Sequence, residues 1–123
     1  MKSCAPLLLC ASLVAACGTR NAPSARGLVA RGDPQRGAVL IRQFSCGACH
    51  TIPGIRGADG RVGPPLDFFS DRSFIAGQLP NTAQNLERWL RDPPAVEPGT
   101  AMPNLGVSEP AARDMAAYLL TLR

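Results

Sequence analysis

The chain has 123 residues, 46% of them hydrophobic but only 5% aromatic, with 12 Gly and 12 Pro. This length supports one small domain with a thin core of its own, so an additional staple is expected. The formal charge of +4 arises from Lys2, Arg20, Arg26 and Arg31; from Asp33 to Arg123 nine arginines balance nine acidic residues, and the lack of a basic stripe interleaved with aromatics argues against nucleic-acid binding.

Residues 1–16 read as an address. Lys2 gives a positive start, and Ala5 to Ala16 is a mostly apolar run, too short to span a bilayer and suited to a signal-peptide core. It ends in Leu13-Val14-Ala15-Ala16-Cys17. Small residues before a cysteine resemble the bacterial lipobox, after which Cys17 becomes the lipidated N-terminus. The competing reading is an ordinary cleavage site that happens to precede a cysteine. In that case Cys17 is an odd free thiol in an exported protein. On either reading Cys4 and Cys10 leave with the signal. Residues 17–32 then form the lipidated cysteine and a flexible tether, with no apolar period from Gly18 to Gly27. Such a segment has an r.m.s. span of ~20 Å and a stretched reach of ~50 Å. Its arginines either meet anionic headgroups or are simply solvated.

Residues 33–123 read as the folded domain. Asp33 is a good N-cap and Pro34 suits the first helical position. Val39, Leu40 and Phe44, with Ile41 as a further candidate, make an apolar side at helical spacing. Gly37 inside this helix costs roughly 1 kcal/mol against Ala and implies close approach of another helix.

The helix leads into Cys46-Gly47-Ala48-Cys49-His50. This is C-x-x-C-H, the covalent attachment pattern of a c-type haem. Two thiols three positions apart reach two vinyl groups of one porphyrin, and the adjacent imidazole serves as proximal ligand. A zinc half-site is the blander alternative. It needs a second ligand pair, yet His50 is the only histidine and the other cysteines are Cys4, Cys10 and Cys17. A thioredoxin-type dithiol usually accompanies a βαβ pattern, and no strand-rich stretch is evident.

Residues 51–81 are rich in Gly and Pro and show neither period, so they read as a loop that packs on a haem. Leu66, Phe68, Phe69, Phe74 and Leu79 are its candidate apolar contacts. Pro64 offers a rigid carbonyl for the second ring nitrogen of His50. Asn81 or Thr82 caps the next helix, whose face is Leu86, Trp89 and Leu90 and which stops before Pro93-Pro94. A thioether suits the sixth position on the iron, and Met/His ligation raises the potential. Met115 fits the apolar side of the last helix with Leu119 and Leu122, whereas Met102 lies in an extended Pro-rich loop and is the better ligand. Ser108 caps the final helix, expected to run to about Leu122, with Tyr118 facing the first helix near Gly37.

From Asp33 to Arg123 the chain resembles a class I cytochrome c. The motifs come in the family's order: Gly37 and Phe44, Cys46-x-x-Cys49-His50, Gly63-Pro64-Pro65-Leu66, a helix ending before Pro93, Pro98-Gly99-Thr100-x-Met102, and Tyr118 on the last helix. The resemblance implies an all-α fold of three to four helices wrapped round one covalent haem c, with the first and last helices crossing near Gly37. It implies His50 and Met102 as axial ligands, Pro64 as acceptor for the His50 ring, and Leu66 and Leu90 against the porphyrin. It places Arg72 near one haem propionate and Thr100 near the other. Trp89 departs from the mitochondrial pattern, standing where a tyrosine often bonds near the methionine sulfur; an indole N–H donates but cannot accept. The stretch from Leu79 through Gly99 is similar to the cytochrome c domain fused to subunit II of some cytochrome c oxidases, here expected as a free-standing lipoprotein.

The expected function is that of a single-haem electron carrier, exported and lipid-anchored through Cys17 on the outer, periplasmic face of the cytoplasmic membrane. It would exchange electrons with partner proteins such as an upstream reductase or a terminal oxidase, with no catalytic residue of its own. The alternatives are a haem subunit of a periplasmic dehydrogenase or reductase complex, and an enzyme or gas sensor with a labile Met102.

Overall fold

The computed structural model describes residues 32–123. The expected signal segment 1–16, the lipidation site Cys17 and the tether up to residue 31 lie outside the described residues.

Helix α1 spans Pro34–Gln43. The Asp33 side chain accepts hydrogen bonds from the backbone N–H groups of Gln35 and Arg36 (2.9 and 3.1 Å), two donors that the helix itself leaves without partners. The helix ends at Phe44, and Ser45 turns the backbone with φ 55°. The apolar side differs from expectation at two positions. Ile41 is the residue at the centre of the core, 1% exposed, while Val39 is 42% exposed. Full burial of such a side chain contributes on the order of 2 kcal/mol.

Helix α2 spans Ala83–Arg91, with Thr82 as its cap, the hydroxyl accepting from Asn85 N–H at 3.2 Å. It buries Ala83, Leu86, Trp89 and Leu90. Pro93 and Pro94 do not simply end the helical region, as expected. They open a further short helix α3, Pro93–Val96, because a proline at the first helical positions gives up no hydrogen bond. Helix α4 spans Glu109–Leu119, capped by Ser108, and stops short of Leu122, which follows a turn and is itself buried.

Helices α1 and α4 cross at Gly37. A Cβ there would collide with the Asp114 carbonyl and lie 3.0 Å from the Tyr118 Cβ, so only glycine permits this approach. Polar contacts fix the same crossing. Asp114 accepts the Asp33 N–H at 2.7 Å and the Arg36 Nε at 2.8 Å. The bonded guanidinium holds the Asp114 carboxyl below its ordinary range against the opposing effect of burial. Helix α2 is tied to α4 by two ion pairs, Arg91 to Glu109 at 3.8 Å and Arg113 to Glu87 at 4.0 Å.

Residues 51–81 hold more regular structure than expected. Thr51 and Asp59 form a bridge, Ile52 N–H bonds the Ala58 carbonyl at 3.1 Å, and Ile52, Ile55 and Ala58 are buried together. Strands β1 (Phe74–Ile75) and β2 (Leu79–Pro80) form an antiparallel hairpin in which Ile75 pairs with Leu79. Two-residue strands are too short to show a period. Phe69 and Leu79 join or pack on the core, whereas Phe68 and Phe74 are exposed. Among the described residues no helix is long and apolar enough to cross a membrane. The fold is all-α apart from this hairpin.

Candidate haem-binding site

A cavity of about 460 Å³ lies inside the ring made by α1, the 51–81 loop, α2, the loop after α3, and α4. Its size falls within the range of small-molecule sites, about 300–1,000 Å³. Cys46, Cys49, His50, Pro64, Leu66, Arg72, Trp89, Leu90, Thr100 and Met102 all line it. Phe69 and Phe74 line it as well, whereas Phe68 and Leu79, also named from sequence as apolar contacts, do not.

The attachment segment is a short 3-10 turn, Cys46–Ala48. Cys49 and His50 donate their backbone N–H groups back to the Cys46 carbonyl at 3.2 and 3.0 Å, which fixes the two thiols and the imidazole on one turn. Cys46 and Cys49 are not joined to each other in a disulfide. Burial pushes the Cys46 thiol up, because it disfavours the charged thiolate.

His50 Nδ1 lies 2.7 Å from the Pro64 carbonyl oxygen. A carbonyl only accepts, so Nδ1 carries the hydrogen and Nε2 keeps its lone pair. The ring is held from the other side by Gly63. A Cβ at that position would lie 2.7 Å from Nδ1 and 2.9 Å from Nε2, inside the ring's own contact shell. The Gly63 N–H also donates to the Cys49 carbonyl at 2.8 Å. The requirement for glycine here is a site feature that the motif displayed without its reason.

Arg72 does more than line the cavity. It donates to the Asp67 carbonyl at 3.0 Å and to the Pro65 carbonyl, and it stacks 5.2 Å from the Phe69 ring centroid. It therefore braces the segment that carries the Pro64 acceptor. On the opposite side Thr100 Oγ1 accepts the Met102 N–H at 3.1 Å, and Thr100 N–H bonds the Glu97 carbonyl at 3.0 Å, so the Met102 loop is held by its own turn. Met115 is 1% exposed and belongs to the core, as expected, although it too reaches the cavity wall. Tyr118 reaches across from α4, its hydroxyl donating to the Pro53 carbonyl at 2.6 Å.

Sequence reasoning missed three contributors. Ile52 and Ile75 line the cavity and are buried, but single isoleucines outside the helices carry no period. The Arg36–Asp114 pair joins residues far apart in the chain, and neither side chain advertises its partner. Glu97 also lines the cavity; beside Pro98-Gly99 it reads only as part of a turn.

The cavity fits a covalent haem c on its own residues. Paired thiols, an imidazole with one nitrogen committed and one free, and a largely apolar wall are brought together there. Comparison with known proteins agrees. The cytochrome c family profile matches residues 34–123. Among curated relatives, cytochrome c oxidase subunit 2 of Alkalihalophilus pseudofirmus is 36% identical over 89 residues, covering 72% of this chain and 25% of the relative. Cytochrome c oxidase subunit 2 of Bacillus sp. strain PS3 is 37% identical over 83 residues, covering 64% and 23%. That of Bacillus subtilis is 32% identical over 81 residues, covering 61% and 23%. The chain spans about a quarter of the length of these relatives. With the profile covering the whole described fold and its helices closing round the attachment turn, the chain belongs to the cytochrome c family, whose haem c makes it an electron carrier.

Proposed function

We propose that this protein carries single electrons in a respiratory chain on a haem c bonded to Cys46 and Cys49, with His50 and Met102 as axial ligands, and delivers them to a terminal oxidase. The group when bound supplies a one-electron iron couple. The chain's own residues do the rest. Pro64 and Gly63 orient His50 with Nε2 free, the Thr100 turn presents Met102, and the apolar wall excludes water. Two protein ligands leave no open position for substrate chemistry. The observation that carries this reading is the convergence of His50 and Met102 on the cavity that also holds both attachment thiols. Met102 is preferred over Met115 because it sits on a loop and is only half-buried, whereas Met115 is locked into α4.

The oxidase as acceptor is supported by similarity to three oxidase subunits. Lipid anchoring through Cys17 and residence on the periplasmic face of the cytoplasmic membrane are supported by the lipobox-like sequence alone. The approach to the cavity fits such a partner. Val62, Phe74 and Leu105 are exposed apolar residues in its lining, Val62 at 78%. Lys2 is the only lysine, so docking rests on apolar contact more than on a ring of positive charge. The test is a potentiometric titration of the haem-loaded chain with its absorption spectrum recorded throughout. A positive midpoint with a thioether–iron band in the oxidised form is expected. A strongly negative midpoint without that band would overturn Met102 ligation and the assignment next to an oxidase.

A further inference from the structure

The cavity wall carries almost no fixed charge. Among its described residues Arg72 is the one arginine or lysine and Glu97 the one carboxylate. The two are not equivalent. The guanidinium of Arg72 is engaged with the carbonyls of Pro65 and Asp67. Glu97 follows α3 and is half-buried. Among the described residues its carboxylate joins none of the ion pairs, which involve Asp33, Asp114, Glu87 and Glu109. Its Oε1 lies 3.4 Å from the point a Cβ on Gly99 would occupy, so the carboxylate folds back along the turn that leads through Thr100 to Met102.

An unneutralised carboxylate in an apolar wall acts strongly on any nearby centre whose charge changes. Haem iron is such a centre. On oxidation it loses one electron to its acceptor and gains one unit of positive charge, with no bond or proton exchanged. A fixed negative charge beside it favours the ferric form and lowers the midpoint potential. Burial, dielectric and neighbouring groups are among the means by which a protein sets that potential.

We infer that Glu97 is a potential-setting residue, its carboxylate in the cavity wall stabilising ferric over ferrous haem. The inference rests on the proposed electron-transfer role of this cavity, and it adds an opposing effect to Met102, whose ligation raises the potential. It also explains why a carboxylate is kept in a wall otherwise built from apolar side chains. Nothing in the local hydrogen bonding needs it there, since the turn is closed by the Glu97 backbone carbonyl.

The test is a charge series, Glu97→Asp, Glu97→Gln and Glu97→Lys, in the haem-loaded full chain, with midpoint and spectrum read together. Glu97→Gln is expected to raise the ferrous-to-ferric ratio at a fixed electrode potential by about three- to tenfold, tenfold being 59 mV for one electron. Glu97→Lys should move it further the same way, and Glu97→Asp should stay close to the parent. A midpoint unmoved in Glu97→Gln, with covalent haem and axial spectrum intact, would overturn the inference. So would equal shifts in Glu97→Gln and Glu97→Lys, which would mark a change of packing or hydration instead of charge. Failure of the underlying ligand reading looks different: the unsubstituted protein would lack the thioether–iron band. The charge order among the variants would still be read on the covalently held haem.

Discussion

The α1–α4 crossing and the loops round the cavity are held together by different means. At the crossing, backbone meets backbone at Gly37, Asp114 gathers a main-chain N–H and a guanidinium, and Ile41 and Met115 are sealed from solvent. Around the cavity the segments are held by local turns and single hydrogen bonds, Pro64 to His50, Thr100 to Met102, Tyr118 to Pro53, and their apolar side chains face an internal space instead of one another. The frame is complete in the polypeptide, whereas the loops are shaped for something that fills the middle. A small chain with few aromatics thus divides its work: close helix contact fixes geometry, and the cofactor supplies the bulk that side chains lack.

The comparison is tested most severely by removing the anchor. Cys46→Ser with Cys49→Ser should abolish covalent haem entirely, measured as pigment that leaves the denatured protein on extraction with acidified organic solvent. Retention of pigment would break the assignment of the attachment turn. Met102→Ala comes next. It should open the iron to carbon monoxide and lower the potential, while covalent haem and far-UV circular dichroism stay as in the parent. An unchanged axial spectrum would exclude Met102 as ligand, and collapse of the helical signal would show that the frame does depend on the loops.

Gly37→Val strikes the frame alone. Its Cβ meets the Asp114 backbone, which cannot yield without moving a helix, so a destabilisation of about 3 kcal/mol is expected in denaturant titration. The folded fraction should keep its axial spectrum. Asp114 gives a subtler handle. Its carboxyl is held below the ordinary range in the folded state, so the stability it contributes is present above the unfolded carboxylate value, about 4, and is lost as pH falls through the lower folded value. Asp114→Asn should flatten the acid limb of the stability profile below about pH 4, read by thermal melts at stepped pH. The smallest effect should come from salt. Electron delivery to an isolated oxidase should vary little between low and physiological ionic strength, because apolar residues line the approach. A steep fall with salt would show that charge guides docking after all.

Much of this was legible in the sequence because it depends on local chemistry. Caps at Asp33, Thr82 and Ser108 announce helices, C-x-x-C-H announces its cofactor, and a glycine inside a helix announces a crossing. What stayed hidden depends on distance. The apolar side of α1 differs at Val39, and Ile41 takes the central place in it, because a ten-residue helix leaves its phase uncertain until its partner is in place. The hairpin at Phe74–Pro80 was too short to show a period, and the second role of Arg72 rests on carbonyls, which no residue type reveals. The ten residues named for the candidate site all line one cavity, and most lie in motifs with a fixed order. Residues outside those motifs stayed hidden, among them Ile52, Ile75, Val62, Leu105 and the one carboxylate, Glu97.

The bond from Asp33 N–H to Asp114 spans 81 positions of sequence, and Tyr118 reaches back 65 to Pro53. Loop closures of that length delay folding, because their entropy is lost before any contact rewards it. Until α4 is in place, the contacts that close the fold over Cys46-x-x-Cys49-His50 cannot form, so the attachment turn precedes the closed frame. Deleting the last dozen residues should therefore leave a chain that accepts haem but never matures into a protease-resistant domain.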